Sequence, residues 1–187
     1  MGTIDENALQ NLSLIVNLSK QLQIKKSRAE DADPDEVAQY FPSFLWVVRD
    51  FSLKLLDQFG NQINSKEYLE NALKEQKGTS DNIEKKNRIR RLIINFFKDR
   101  DCYTMVRPTE EERDLQTLQN LEDSKLRPEF LEQMNVLRGR IFKRVKPKVL
   151  NSRYITGEML LELCLAYTDA INNGSVPCIE SAWSYLC

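Results

Sequence analysis

The sequence predicts a helix-rich α/β fold, and two short apolar segments among longer helical patterns are the basis for this prediction. Phe44–Val48 is an unbroken run of large and β-branched apolar residues. Such a run is typical of a strand buried on both faces, as in a parallel sheet covered by helices. Residues 102–106 are the second predicted strand. The predicted order is helix, loop, strand, two helices, strand and three helices.

The first helices are predicted from apolar spacing and capping residues. Residues 6–24 form an amphipathic pattern, residues 25–39 are polar and are predicted to be an exposed loop or linker, and residues 57–61 carry turn chemistry. Asn64 or Ser65 is expected to cap a helix that runs to Gln76 ahead of Gly78. The next helix has an apolar stripe from Ile89 to Phe97, and three arginines are expected to lie mostly off that stripe: Arg88, Arg90 and Arg91.

Three further helices are predicted in the second half of the chain. Thr109 and Glu112 have capping-box spacing ahead of a helix through Leu121. Pro128 is expected at the first position of a helix whose apolar face holds Phe130, Met134, Leu137 and Ile141. Thr156 is expected to cap a largely buried helix that ends at Asn173, before Gly174. Residues 177–187 are predicted to begin another helix.

Composition excludes several functional classes. The 187 residues suit one domain, and the formal net charge of −1 provides no overall field that would favour binding to nucleic acid or to a membrane surface. The absence of histidine rules out a histidine-based triad and removes the commonest metal ligand. The four cysteines include no C-x-x-C pair, so we expect no metal site and reduced thiols in a cytoplasmic protein. The sequence contains neither a transmembrane segment nor a signal peptide pattern.

Charged residues follow both predicted strands. Arg49 and Asp50 come directly after the first strand, and Arg107 follows the second. In open α/β sheets the ligand crevice lies beyond the carboxyl ends of the strands, so these residues are candidate site residues. The alternative is that they are solvated charges at strand ends. A stretch rich in arginine and lysine, residues 138–148, is interpreted as a solvated helix end, with phosphate, an acidic partner or a membrane surface as alternatives.

The segment from Phe41 to Leu53, Phe-Pro-Ser-Phe-Leu-Trp-Val-Val-Arg-Asp-Phe-Ser-Leu, closely resembles the base-recognition strand of guanylate-binding proteins. These are large GTPases of the dynamin superfamily and are related to atlastins. Other pieces match in the same order along the chain: Met1-Gly2-Thr3-Ile4-Asp5, Glu67-Tyr68-Leu69, Arg107-Pro108, Pro128-Glu129-Phe130, Leu165-Ala166-Tyr167 through Ala170-Ile171, and the segment from Gly174 to Glu180. The resemblance covers nearly the whole chain.

The resemblance implies a role for each candidate residue. Asp50 would accept hydrogen bonds from guanine, Arg49 would lie along the base or the nucleotide edge, and Arg107 would belong to a guanine cap or to a dimer interface. The chemistry agrees, because a carboxylate is acceptor-only and guanine presents two adjacent donors on one edge. The implied ligands are GTP and GDP, and the implied partners are a second copy across the nucleotide face and a helical stalk.

The resemblance also implies a division of the chain. Residues 1–174 would be the C-terminal portion of a P-loop GTPase domain, with the base-recognition strand at 44–50 and the cap at 107–125. Residues 175–187 would begin the stalk. The cap is strongly acidic here, whereas the family resemblance leads us to expect basic residues.

No Gly-x-x-x-x-Gly-Lys-Ser/Thr motif occurs in the sequence. The complete domain would need Mg²⁺, for which this segment offers no ligand and no catalytic residue, so the segment alone is not expected to hydrolyse GTP. Whether the product is GDP or GMP is left open. The alternative function is a helix-rich interaction scaffold without nucleotide binding.

Overall fold

The computed structural model describes residues 2–19, 42–150 and 153–175. The predictions for residues 20–41, for 151–152 and for 176–187, including Leu22, the loop at 25–39 and the last helix, lie outside the described residues. In chain order the elements are α1 (Glu6–Ser19), β1 (Phe44–Val48), α2 (Ser65–Ala72), α3 (Asp81–Phe96), β2 (Arg100–Thr104), α4 (Glu112–Leu115), α5 (Pro128–Arg144), β3 (Val149–Leu150), β4 (Arg153–Tyr154) and α6 (Gly157–Asn172). Two 3-10 turns, Leu118–Asn120 and Asp123–Lys125, lie between α4 and α5.

The described residues form two compact units. The first contains residues 2–6, Ser43–Gln76 and Asp99–Val145, and therefore holds β1, α2, β2, α4 and α5. The second contains most of α1 together with α3, the β3–β4 pair and α6. All candidate site residues belong to the first unit.

The strands β1 and β2 pair in parallel, which confirms the helix-rich α/β prediction. Phe44 is opposite Arg100 and Val48 is opposite Thr104. β1 has the predicted bounds, but β2 begins and ends two residues earlier than the predicted 102–106. The start of β2 was missed because Arg100 and Asp101 are charged and so do not fit the pattern of a buried strand. Each of them pairs with a helix side chain that the sequence does not identify.

Successive side chains of β2 point to opposite faces of the sheet, and a helix packs against each face. On one face, Tyr103 and Met105 form a buried cluster with Leu137 of α5, joined by Leu45, Val47 and Phe130. On the other face, the Arg100 guanidinium bonds Glu70 of α2 at 2.7 Å, and the Thr104 and Ser65 hydroxyl groups are 3.0 Å apart. Cys102 lies between these two contacts and is fully buried.

Local capping chemistry sets several helix boundaries. The Asn64 side chain accepts from the amide of Glu67 at 2.9 Å while the Glu67 carboxylate accepts from the amide of Asn64 at 2.7 Å, a complete capping box. Thr156 caps α6, and Pro128 begins α5, as predicted. Gly174 has a φ of +68°, which suits its predicted place after α6.

Two predicted helices are shorter in the structure. α2 ends at Ala72, four residues before the predicted Gln76, because residues 74–77 are exposed and polar and offer no apolar contact. The capping box at Thr109 is wrong: the Thr109 hydroxyl accepts from the Glu111 amide at 3.2 Å, and α4 begins only at Glu112. The continuous helix through Leu121 is also wrong, since α4 has a single turn and is followed by 3-10 turns.

Burial departs from the predictions in four places. In β1, Val48 is buried but Phe44–Val47 are half-buried, because the described part of the sheet has two strands. On α5, Leu137 is buried while Met134 and Ile141 are exposed. Arg90, expected off the core stripe of α3, is buried and bonds the Lys86 carbonyl oxygen at 3.1 Å.

The fourth departure concerns α6. Leu163 is buried, but Leu161 and Ile171 are 61% and 64% exposed, so the prediction of a largely buried helix is wrong for the described residues. The short antiparallel pair β3–β4 was not predicted, since two-residue strands leave no periodic pattern.

Candidate functional site

The predicted site residues Arg49 and Asp50 form a bulge at the carboxyl end of β1. The Met105 amide donates to the Val48 carbonyl oxygen at 2.8 Å, and the Met105 carbonyl oxygen accepts from the Phe51 amide at 2.8 Å. Regular parallel pairing would place one residue between these two bonds, whereas here Arg49 and Asp50 both lie between them. Met105, directly after β2, therefore bonds the residues on either side of the bulge, and Arg49 and Asp50 make no hydrogen bond in the ladder between them.

Asp50 has a left-handed backbone conformation. Its φ is +54°, and it is the one non-glycine residue with positive φ in the described part of the chain. This conformation is costly for most residues and is frequent at binding sites, where the surrounding structure maintains it. The strained residue therefore coincides with the carboxylate that the sequence identified.

Gly2 packs against the peptide that joins Arg49 to Asp50. A Cβ atom placed on Gly2 would lie 1.7 Å from the Arg49 carbonyl oxygen and 2.8 Å from the carbonyl carbons of both residues. Two residues further on, the Ile4 amide donates to the Tyr68 hydroxyl at 3.2 Å. Residues 1–5 belong to the pieces that resemble the family, but no place at the site was predicted for them.

The Arg49 and Asp50 side chains are exposed. Among the residues the structure describes, neither side chain makes a hydrogen bond or an ion pair within the protein. An ionised carboxylate offers two acceptor oxygens and no donor. The bulge therefore presents a free acceptor pair to solvent, beside a free guanidinium, at the edge where open α/β sheets bind ligands.

Arg107 lies three residues beyond β2 and is also exposed. Its position follows from bonds on either side: the Val106 amide donates to Gln133 Oε1 at 2.8 Å, and the Pro108 carbonyl oxygen accepts from the Arg127 amide at 2.8 Å. These bonds attach the chain after β2 to the start of α5. No bond joins Arg107 to Arg49 or Asp50 in the described residues, so the three residues share an edge of the sheet without direct pairing.

A pocket of about 410 Å³, which was not predicted from the sequence, adjoins the bulge. Phe51 and Met105, which close the bulge, line it together with Thr104 and Val106 at the end of β2. The loop after the bulge and α5 supply the remaining lining residues: Leu53, Lys54, Leu55, Leu56, Gln62 and Gln133. No sequence signal marks this pocket, because a loop, a strand end and a helix far apart in the chain form it.

The amino end of the strand pair differs electrostatically from the bulge. The Arg144 guanidinium bonds Asp99 and Asp101, each at 2.6 Å, and Ser43 donates to Asp99 at 2.6 Å. The hydrogen bond from Ser43, followed by the attraction of Arg144, lowers the pKa of Asp99. Burial, and to a lesser extent the Asp101 carboxylate, raises the pKa of Cys102 to about 12.

Within the described residues, no group of three or more histidine, cysteine, aspartate or glutamate side chains is placed to hold a metal ion. Within the same residues, every helix is too short or too polar to cross a bilayer.

Comparison with known proteins identifies the family. Residues 1–150 match the family model "Guanylate-binding protein, N-terminal domain", and residues 151–187 match "Guanylate-binding protein, C-terminal domain". Human guanylate-binding protein 4 is 39% identical over 190 residues, and human guanylate-binding protein 6 is 37% identical over 185 residues. Mouse guanylate-binding protein 7 is 38% identical over 189 residues.

These alignments cover 97–100% of this chain. They cover 29–30% of the three relatives, so the chain spans less than a third of their length. The family model that matches most of the chain, together with the ordered pieces around Arg49 and Asp50, identifies the chain as a member of the guanylate-binding protein family.

Proposed function

We propose that this chain supplies the guanine-recognition part of a GTP-binding and GTP-hydrolysing protein, with Asp50 as the residue that recognises the base. The observation that carries the proposal is the bulge. In it, the exposed Asp50 carboxylate directly follows β1, has no partner among the described residues and belongs to a residue with a left-handed backbone conformation. The names of the relatives associate them with guanylates, and the GTPase class is that of the family.

The chemistry of the base explains the choice of a carboxylate. Guanine presents N1–H and the exocyclic amino group side by side, and the two Asp50 oxygens would accept one hydrogen bond from each. Adenine has an acceptor at N1 and no amino group at position 2, so it would leave these oxygens unpaired. A site built around such bonds discriminates strongly between bases. Arg49 would lie along the base and favour the negatively charged nucleotide.

The cap, the dimer and the stalk belong to the same proposal. Residues 107–125 would fold over the base, with Arg107 in the cap or in a homodimer interface across the nucleotide face. Residues 1–174 would be the C-terminal portion of the GTPase domain, and residues 175–187 would begin the stalk. The phosphate groups and Mg²⁺ would be held by a P-loop portion with no counterpart in this sequence, so this segment alone would be inactive. We also propose a cytoplasmic location, which the free Cys102 and Cys164 support.

Substitution of Asp50 by asparagine tests the proposal. The 187-residue chain has no P-loop motif, so nucleotide binding would be measured by calorimetry in two proteins. One is the chain itself, and the other is human guanylate-binding protein 4 in which this chain replaces the matching segment. Asp50→Asn should weaken GDP binding about a hundredfold, since two hydrogen bonds to a charged acceptor are altered. It should favour xanthosine diphosphate, because the asparagine amide can donate to the 2-oxo group of xanthine.

Glu162→Gln is the matched control, because it removes the same charge from an exposed position on α6. A normal preference for guanine in Asp50→Asn would refute the assignment. A scaffold that binds no nucleotide would give no binding heat with either base in any form of the protein, and that result would favour the alternative function.

A further inference from the structure

The approach of Gly2 to the bulge is too close for any other residue. The three atoms nearest to the position that a Gly2 Cβ would occupy are all backbone atoms of Arg49 and Asp50, the closest of them at 1.7 Å. Backbone atoms cannot rotate away as a flexible side chain can. Any substitution of Gly2 must therefore move either residues 2–4 or the peptide that carries Asp50.

Residues 2–4 are attached to the bulge by a second route. The Ile4 amide donates to the Tyr68 hydroxyl at 3.2 Å, and the Tyr68 ring meets the Phe51 ring edge-on with centroids 5.4 Å apart. Phe51 is the residue whose amide closes the bulge on Met105. The N-terminal segment thus contacts Arg49 and Asp50 directly through Gly2, and Phe51 indirectly through Tyr68.

Neither contact uses the Asp50 side chain. The bulge would be free to change its conformation if only its two ends were bonded to Met105, because Asp50 has an unfavourable φ. We propose that residues 2–4 form a positioning segment, in which Gly2 docks on the Arg49–Asp50 peptide and holds the Asp50 carboxylate in the orientation that recognises guanine. The proposal rests on the function proposed above for Asp50, and it assigns Gly2 and Tyr68 as positioning residues.

The proposal has a specific consequence for base selectivity. Two hydrogen bonds to adjacent donors require both carboxylate oxygens to face the base edge, because hydrogen bonds weaken steeply when they are misaligned. A displaced Asp50 would keep one bond more easily than two. Loss of Gly2 should therefore reduce discrimination between guanine and hypoxanthine, which lacks only the exocyclic amino group.

The first measurement is amide hydrogen exchange in the 187-residue chain, monitored by NMR. Gly2→Ala should accelerate exchange of the Phe51 amide about tenfold or more relative to the unmodified chain. Gly139→Ala is the control for an added methyl group and should not accelerate this exchange, because a Cβ at that position in α5 meets nothing within 4 Å and alanine suits a helix interior. Unchanged protection of the Phe51 amide in Gly2→Ala would overturn the positioning role.

The second measurement is the ratio of affinities for GDP and inosine diphosphate, in the chain and in the exchanged relative described above. Gly2→Ala should reduce this ratio about tenfold. A lower folded fraction, in contrast, would reduce the apparent affinity for both nucleotides equally and leave the ratio unchanged. Tyr68→Phe, which keeps the ring on Phe51 but removes the acceptor for Ile4, should reduce the ratio by a smaller factor.

The outcomes separate the two proposals. A reduced ratio in both Asp50→Asn and Gly2→Ala supports both, whereas a reduced ratio in Asp50→Asn alone overturns the role of Gly2 and leaves that of Asp50. If the unmodified proteins show no preference for GDP, the proposed function fails. The exchange rate of the Phe51 amide then decides whether Gly2 positions the bulge.

Discussion

The strands β1 and β2 have charged side chains near both ends, but these groups are arranged in opposite ways. At the amino end, Arg144 bonds both Asp99 and Asp101, and Arg100 bonds Glu70. At the carboxyl end, Arg49 and Asp50 have no side-chain partner among the described residues, while backbone contacts surround their peptide. One end uses charge to join a helix to the sheet, and the other uses backbone packing to present unpaired charge.

This difference separates stability from binding. A paired charge contributes to folding and is unavailable to a ligand, whereas an unpaired charge on a held peptide is available at a cost in strain. Substitutions at the two ends should therefore affect stability in opposite directions.

The largest expected effect is at the amino end. Arg144→Met should lower the free energy of unfolding by about 2 kcal/mol, because it leaves Asp101, whose side chain is only 16% exposed, without its cationic partner. Urea denaturation measures the change. Lys143→Ala, at the neighbouring exposed position, is the control, and equal effects of the two substitutions would contradict the comparison.

The reactivity of the Cys102 thiol, which lies between the two ends of β2, measures how often the strand pair opens. Its thiol is buried and has a pKa of about 12, so it stays protonated and unreactive at pH 8, whereas the exposed Cys164 should be alkylated readily. Arg144→Met should accelerate Cys102 alkylation about thirtyfold, which corresponds to the same 2 kcal/mol. Mass spectrometry of the labelled peptides measures the rate. Rapid labelling of Cys102 in the unmodified chain would show that the strand pair is not closed.

At the carboxyl end, Asp50→Gly should have the opposite effect on stability. Glycine adopts positive φ without the Cβ penalty, so the substitution should raise the free energy of unfolding by up to about 1 kcal/mol while removing the proposed base contact. Thermal and urea denaturation, compared with GDP binding, measure the two effects. A loss of stability in Asp50→Gly would mean that the carboxylate supports the fold.

The smallest expected effect is a pH dependence at the amino end. The pKa of Asp99 is lowered in the folded chain, so its stabilising contribution is present above the unfolded value near 3.8 and is lost as pH falls through the folded value. Asp99→Asn should therefore flatten the dependence of stability on pH below about 4 and leave the slope near neutrality unchanged. Denaturation across pH 2–7 measures this. Because Asp99 is 60% exposed, we expect a change of a few tenths of a kcal/mol.

Local features were predictable because neighbouring residues determine them. The bounds of β1 follow from an unbroken apolar run. The starts of α2 and α6 follow from the capping residues Asn64 and Thr156, and the start of α5 follows from Pro128 at its first position. The position of Arg49 and Asp50 directly after β1 was predicted for the same reason. Their proposed role came from the family resemblance together with the chemistry of a carboxylate.

Features that depend on distant contacts were missed or misjudged. The start of β2 depends on Arg144 and Glu70, which pair with its charged residues from two separate helices. A local pattern predicted a longer helix after Thr109, but the structure has short turns there, and the Pro108 carbonyl oxygen is bonded to Arg127. A capping signal does not decide a helix when few of the residues that follow it become buried.

The sequence by itself determined which residue types stand at the end of β1 and thus what chemistry could occur there. Only the tertiary structure decided that Arg49 and Asp50 leave the ladder as a bulge, because this depends on Met105, a strand away. The same is true of Gly2, whose nearest contacts are 47 and 48 residues distant in the chain. Hydrogen bonds and close backbone contacts between remote segments leave no periodicity in a sequence, so their effect on the site becomes visible only once the chain is folded.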